Sequence, residues 1–132
     1  MDVKGMLKSY IPAHKYALLC ARDLDALLET VVKSPAMDGM PRKPATNGLE
    51  YEVARIEIAK VKLEKARNKA LRLQDEIEDM IDLLTDSDQK SLIRLRYIHG
   101  LSWDEVASEM NWSRSQVFRI HGWALENLRR MT

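Results

Sequence analysis

The sequence predicts an all-α protein in which a long-helix hairpin or coiled-coil arm, residues 1–84, precedes a small helix-turn-helix unit, residues 85–132. Three observations predict it. Apolar residues recur at alternating steps of three and four along most of the chain, the period of a helix face. One stretch rich in Pro and Gly, residues 33–48, interrupts that period. Near the C-terminal end, two Ser residues are each followed three positions later by Glu or Gln, the spacing of a helix-starting capping box.

In the arm, Ala13, Ala17, Cys20, Leu24, Leu27 and Val31 share one face, so residues 12–33 read as an amphipathic helix with Pro12 suited to its first turn. Three Pro and two Gly within 33–48 end it in a loop. Ile56, Ala59, Leu63, Ala66, Ala70, Leu73, Ile77, Met80 and Leu84 then alternate steps of three and four without a miss, a coiled-coil seam. A helix from Leu49 to Leu84 would be on the order of 55 Å long at ~1.5 Å per residue. The first helix is too short to cover it. A homodimer through the seam is therefore expected; the alternative is an intramolecular bundle in which the end of the seam packs on a helix at 88–99.

Asp75, Glu76, Glu78, Asp79, Asp82, Asp86 and Asp88 form an acidic run without a base, read as a solvated face plus charge that complements the next helix dipole; the functional alternative is a docking surface for a basic partner or a shield that repels non-specific DNA. Thr85 and Asp88 have capping-box spacing, so the chain is expected to break at 85. His99 beside Gly100 reads as a helix C-terminus.

The last third can be assigned position by position. Ser102 with Glu105 starts a short helix near Trp103, and Val106, Ala107 and Met110 give it one apolar face. Asn111 tolerates the left-handed backbone of a tight turn, which Trp112 plugs. Ser113 with Gln116 starts a second helix, whose stripe is Val117, Ile120, Ala124, Leu125 and Leu128. A small residue, a turn and two capped helices at this spacing are what a reader of the DNA major groove requires. Away from the stripe, Arg114, Ser115, Phe118, Arg119 and Gly122 gather on the exposed side. Arg can bond guanine in a bidentate way, Ser bonds several bases, and Phe can touch a thymine methyl. The bland reading is an ordinary solvated face, which Phe118 disfavours because a large exposed aromatic usually has a partner. The candidate DNA-contacting set is Ser102, Trp103, Ser113, Arg114, Ser115, Gln116, Phe118, Arg119 and His121, with Arg94 and Arg96 as phosphate contacts.

Charge supports this only locally. The chain has 21 Lys and Arg against 20 Asp and Glu, a net of +1, so no bulk basicity marks a polyanion binder. Residues 113–132 carry four Arg and one Glu, a net of +3, whereas 101–112 carry Asp104, Glu105 and Glu109 and no base, a net of −3. Only the second helix suits the groove, with affinity expected to fall steeply with salt. So modest a patch points to a dimer or a larger complex.

The stretch IRLRYIHGLSWDEVASEMNWSRSQVFRIHGWALENLRR resembles region 4 of bacterial sigma-70 factors, over roughly residues 86–131. By that resemblance Arg114, Ser115, Phe118 and Arg119 sit where such domains touch bases. Phe118 and Arg119 depart from the polar pair of housekeeping sigma factors, and Ser115 replaces an acid. With SPAMDGMPRKPATNG at 34–48 ahead of the long charged helix, nearly the whole chain is similar to the RinA/ArpU-type phage and prophage transcriptional regulators. The resemblance implies a sequence-specific regulator of the late-gene activator type that binds double-stranded DNA in the bacterial host cytoplasm, with host RNA polymerase as a further partner. Two alternatives stay open: a sigma-like adaptor associated with RNA polymerase, and a small DNA-packaging (terminase-like) recognition subunit.

Enzyme chemistry finds no foothold. Cys20 alone forms no disulfide within the chain and lies on an apolar seam. His14, His99 and His121 lack ligand spacing, and there is no phosphate-cradling Gly loop or nucleophile elbow. Neither a signal peptide nor a run long enough to span a membrane is present. The expectation is a protein that is not an enzyme and has no cofactor, no metal and no membrane partner.

Overall fold

The computed structural model describes residues 2–33 and 46–132. Among these residues there is no strand, and the helices are α1 (Val3–Leu7), α2 (Tyr10–Lys33), α3 (Thr46–Leu83), α4 (Ser87–Tyr97), α5 (Trp103–Met110) and α6 (Arg114–Met131). The loop expected at 33–48 lies outside the described residues except at its edges. The helices sort into two packed units, residues 14–68 and residues 1–13 with 69–132.

The 14–68 unit is a helix pair. Ala17 and Cys20 of α2 pack on Leu63 and Ala66 of α3, with Ala21 and Leu24 at the margin. Most of these side chains are small, so the helices bury little apolar area and gain correspondingly little. Ile56 and Ala59 of the expected seam are half-buried. Much apolar surface stays outside, including Leu18 and Leu19 on α2 and Tyr51, Ile58 and Val61 on α3.

The other unit holds the main core. Ile77, Met80, Ile81 and Leu84 after α3's midpoint meet Leu92, Ile93 and Tyr97, together with Val106 and Ala107 of α5 and Val117, Ala124, Leu125 and Leu128 of α6. Val3, Leu7 and Tyr10 join the same cluster. Two sequence expectations change here. From Ala70 to Leu84 the heptad seam is covered by the chain's own helices, so the intramolecular bundle, not a homodimer, takes that stretch. The first residues are also more than a lead-in to the arm, because α1 packs against α6. A division at 84/85 marks where the helix breaks, while the core runs across it.

The break is capped by Asp86 rather than Thr85. The Asp86 carboxylate accepts from Asp88 N–H at 2.8 Å and from Gln89 N–H at 3.0 Å. An ionised oxygen at the positive end of α4 satisfies two orphan donors and the dipole together. Of the acidic run, Glu78 accepts both Nη1 and Nη2 of Arg94 at 2.6 Å, joining α3 to α4. The Arg94 guanidinium hydrogen bond holds the Glu78 carboxyl below the usual carboxylate range. Buried Gln89 accepts from Asn127 Nδ2 at 2.9 Å, so its carbonyl is not orphaned and α4 is tied to α6.

Helix α4 ends as the His99-Gly100 pair suggested. Gly100 has φ +73°, and the Leu101 N–H returns to the Leu95 carbonyl at 3.1 Å. A Cβ at position 100 would also lie 3.2 Å from Ile11 Cδ1. Glycine is needed twice over.

Leu92 is fully enclosed at the meeting of α3, α4 and α6. Leu92→Ala should lower stability by ~2–5 kcal/mol, measured by denaturant unfolding.

Candidate nucleic-acid interface

Local chemistry fixes α5, the turn after it and α6 at each joint. Ser102 Oγ accepts from Glu105 N–H at 3.2 Å, and Glu105 Oε1 accepts from Ser102 N–H at 3.0 Å, closing the box in both directions. The chain then turns at Asn111, left-handed at φ 55° and ψ 42°, and Trp112 N–H bonds the Ala107 carbonyl at 3.0 Å. Ser113 Oγ caps α6 by accepting from Gln116 N–H at 3.2 Å; this is one half of the box expected there. Val106, Ala107, Val117, Ala124, Leu125 and Leu128 are buried, and Met110, Trp112 and Ile120 pack at the core margin.

The opposite side of α6 faces solvent. Ser113, Arg114, Ser115, Gln116, Phe118, Arg119 and Gly122 are all exposed, as is Ser102 at the start of α5. Phe118 leaves 44% of its surface open, and its ring meets Trp103 edge-on with centroids 5.3 Å apart. The Arg114 guanidinium sits 5.7 Å from the Phe118 centroid, and its Nε is 3.2 Å from Asp104 Oδ1. Trp103 itself is half-buried beneath the Arg96 guanidinium, 4.4 Å from its ring centroid. Arg96, Trp103, Phe118 and Arg114 thus form one continuous ladder of cation and aromatic contacts. The first turn of α6 carries no acid, whereas that of α5 carries Asp104 and Glu105. Of these two helices, α6 is the one whose positive end is not offset by an acid in its first turn.

Two of the eleven candidates are placed differently from expectation. His121 is 8% exposed, with its ring 4.7 Å from Trp103 and its Nε2 sharing a 2.7 Å hydrogen bond with the Tyr97 hydroxyl. Burial, followed by the charges of Lys4, Arg96, Arg129 and Lys8, pushes its pKa down to about 4. A buried, neutral imidazole makes no phosphate contact. Its position was legible, because it lies four residues after Val117 and three before Ala124, on the buried stripe. Polar identity concealed that spacing. Arg94 is also corrected, since both ends of its guanidinium fork are taken by Glu78. Arg96 donates Nη1 to the Leu101 carbonyl at 2.9 Å and makes no ion pair among the described residues.

No group of three or more His, Cys, Asp or Glu that could hold a metal occurs among the described residues. None of their helices is long and apolar enough to cross a membrane.

Two measurements address this geometry. His121 titrates near 6.5 when exposed and near 4 when folded, so its contribution is complete above pH 6.5 and is lost as pH falls through 4. The melting temperature should therefore drop between those values, with a flatter profile in His121→Gln, which keeps a partner for Tyr97 without the titration. At Gly122 an added Cβ meets nothing within 4 Å. Gly122→Ala should raise stability by ~0.5–1 kcal/mol through helix propensity. A simultaneous loss of DNA affinity would mark this spot as one approached by the duplex.

The family model described as "Protein of unknown function (DUF1492)" matches residues 52–129. The chain is also similar to an RNA polymerase sigma factor, TcsR, of Paraclostridium sordellii: 41% identical over 54 residues, which make up 41% of this chain and 31% of that protein. The protein of the same name from a particular strain of that organism is 42% identical over 52 residues, 39% of this chain and 30% of the relative. The chain therefore spans about a third of the length of the curated relatives it matches. No solved structure matches it at a significant level.

Proposed function

The chain belongs to the DUF1492 family, and from that premise we propose that it is a sequence-specific DNA-binding transcriptional regulator whose α6 enters the major groove. One observation carries the reading. The buried face of α6 is anchored in the core, while Arg114, Ser115, Phe118 and Arg119 remain exposed beside its acid-free first turn. Arg119 is set to meet a guanine edge or a phosphate, and Phe118, held against Trp103, to meet a thymine methyl. Arg114 first leaves Asp104, which costs little for an exposed pair. Similarity to a sigma factor over part of the chain supports a sigma-like reading head, and the resemblance to RinA/ArpU-type regulators supports a late-gene activator.

The test starts from a duplex selected out of a random pool by the full chain. Arg114→Ala and Arg119→Ala should each weaken that complex by ~1–3 kcal/mol in a fluorescence anisotropy titration and relax sequence preference. Affinity unchanged by both would remove α6 from the groove.

Self-association belongs, in this reading, to the 14–68 unit, since residues 70–84 are already covered. A second copy would add the phosphate contacts that a net of +3 on residues 113–132 supplies only sparingly. Ile58 is 68% exposed. Ile58→Lys should convert a dimer to a monomer in analytical ultracentrifugation with the melting profile retained; a monomeric parent protein would sink the dimer. A second reading, an adaptor for RNA polymerase, draws on the sigma-factor name of the relatives. Capture of polymerase by a monomer that does not select DNA would favour it.

A further inference from the structure

Helix α1 brings two lysines to a surface that already carries arginines from α4 and α6. Val3 and Leu7 plug α1 into the core, which leaves Lys4 and Lys8, one turn apart, exposed on its outer side. Lys8 and Arg96 line the same open cavity of about 180 Å³, together with Leu7, Ile11, Tyr97 and Gly100. Arg129 is exposed and lies at positions of four, three and four from Phe118 through Gly122 and Leu125, so it continues the flank of α6 that begins at Phe118. Packing of α1 against α6 and the cavity shared by Lys8 and Arg96 bring these cations to one side of the unit, and their charges add to the lowering of the His121 pKa.

Among the described residues no ion pair ties any of these four cations to an acid. The ion pairs there are Lys60–Glu57, Arg94–Glu78 and Arg114–Asp104, and none includes these four cations. The nearby Asp2 carboxylate is turned to the Gly5 N–H, 2.8 Å away, as the cap of α1. Four like charges held together repel one another, and a run of phosphates relieves that repulsion. Arg96 is the link between the two parts of the surface, because its guanidinium lies on the Trp103 ring that also supports Phe118.

We propose that Lys4 of α1 and Lys8 at its C-terminal cap, with Arg96 and Arg129, form a second contact surface that grips the phosphate backbone of duplex DNA beside the groove occupied by α6. The proposal rests on the DNA-reading function above and extends it. Phosphate contacts fix register and add affinity without reading sequence. The first residues of the chain thereby act in DNA binding as well as in packing.

The test is the salt dependence of binding by the full chain to a duplex of arbitrary sequence and to the selected duplex. Each phosphate contact contributes about 0.9 to the slope of log affinity against log salt. Lys4→Gln combined with Lys8→Gln should make the slope shallower by roughly 2 and weaken both duplexes by the same factor, roughly 10- to 30-fold at about 0.15 M salt. The thermal melt should be unchanged, since both side chains are exposed. Lys60→Gln with Lys62→Gln removes the same charge from the 14–68 unit and should leave the slope alone. An unaltered slope in the α1 variant, or an equal loss in the Lys60/Lys62 variant, overturns the α1 surface while the role of α6 stands. If the parent chain binds no duplex, both fall.

Discussion

Trp103 is the side chain on which the exposed face of α6 depends. It occupies the first position of α5 and touches α4 through Arg96 and α6 through both His121 and Phe118. Aromatic pairs of this kind contribute ~0.5–1.5 kcal/mol beyond the area they bury, and their edge-on preference also fixes angles. Phe118 can therefore stay largely in water without becoming loose. The ring of Trp103 is in turn set by the Ser102 box, because a helix that began one residue later would carry the indole elsewhere. A hydrogen bond between a hydroxyl and a backbone N–H thus helps to set where an exposed phenyl points on the next helix.

The same region separates charge by depth and by side. Three acids are engaged between helices or at helix starts: Glu78 on Arg94, Asp86 on the first turn of α4, Glu105 on Ser102. Arginines of α6 keep their charge toward solvent. Between these zones His121 stays uncharged, and its bond to Tyr97 lets a polar ring lie in an apolar layer without an orphaned atom. Burial first, and then the charges of Lys4, Arg96, Arg129 and Lys8, favour the neutral form.

Sequence reading succeeded where the determinant is local. The helix period, the Ser102 and Ser113 caps, the left-handed Asn111 and the Gly100 terminus are all written within a few residues, and the all-α fold follows from them. The heptad seam shows the limit of that approach. Alternating threes and fours state that a stripe is buried and leave open whether α4 or another chain buries it. Thr85 and Asp86 are adjacent and both able to cap, so spacing alone could not choose between them; charge at the helix end did. Helix α1 has too few residues to show a period, and its apolar side chains gain meaning only from α6 at the far end of the sequence. At the site, residue types identified the outward face of α6 and spacing alone placed His121 on its buried stripe, whereas the pairing of Arg94 required knowing what stands opposite.

The sharing of one core by Val3, Leu7 and Leu128 has a consequence for how the molecule is made. Ribosomes deliver about 5–20 residues per second, so α1 emerges on the order of ten seconds before its partner on α6 exists. Five residues cannot hold a helix unaided for that interval. During translation α1 and the end of α3 therefore keep their apolar stripes uncovered until α6 has been made.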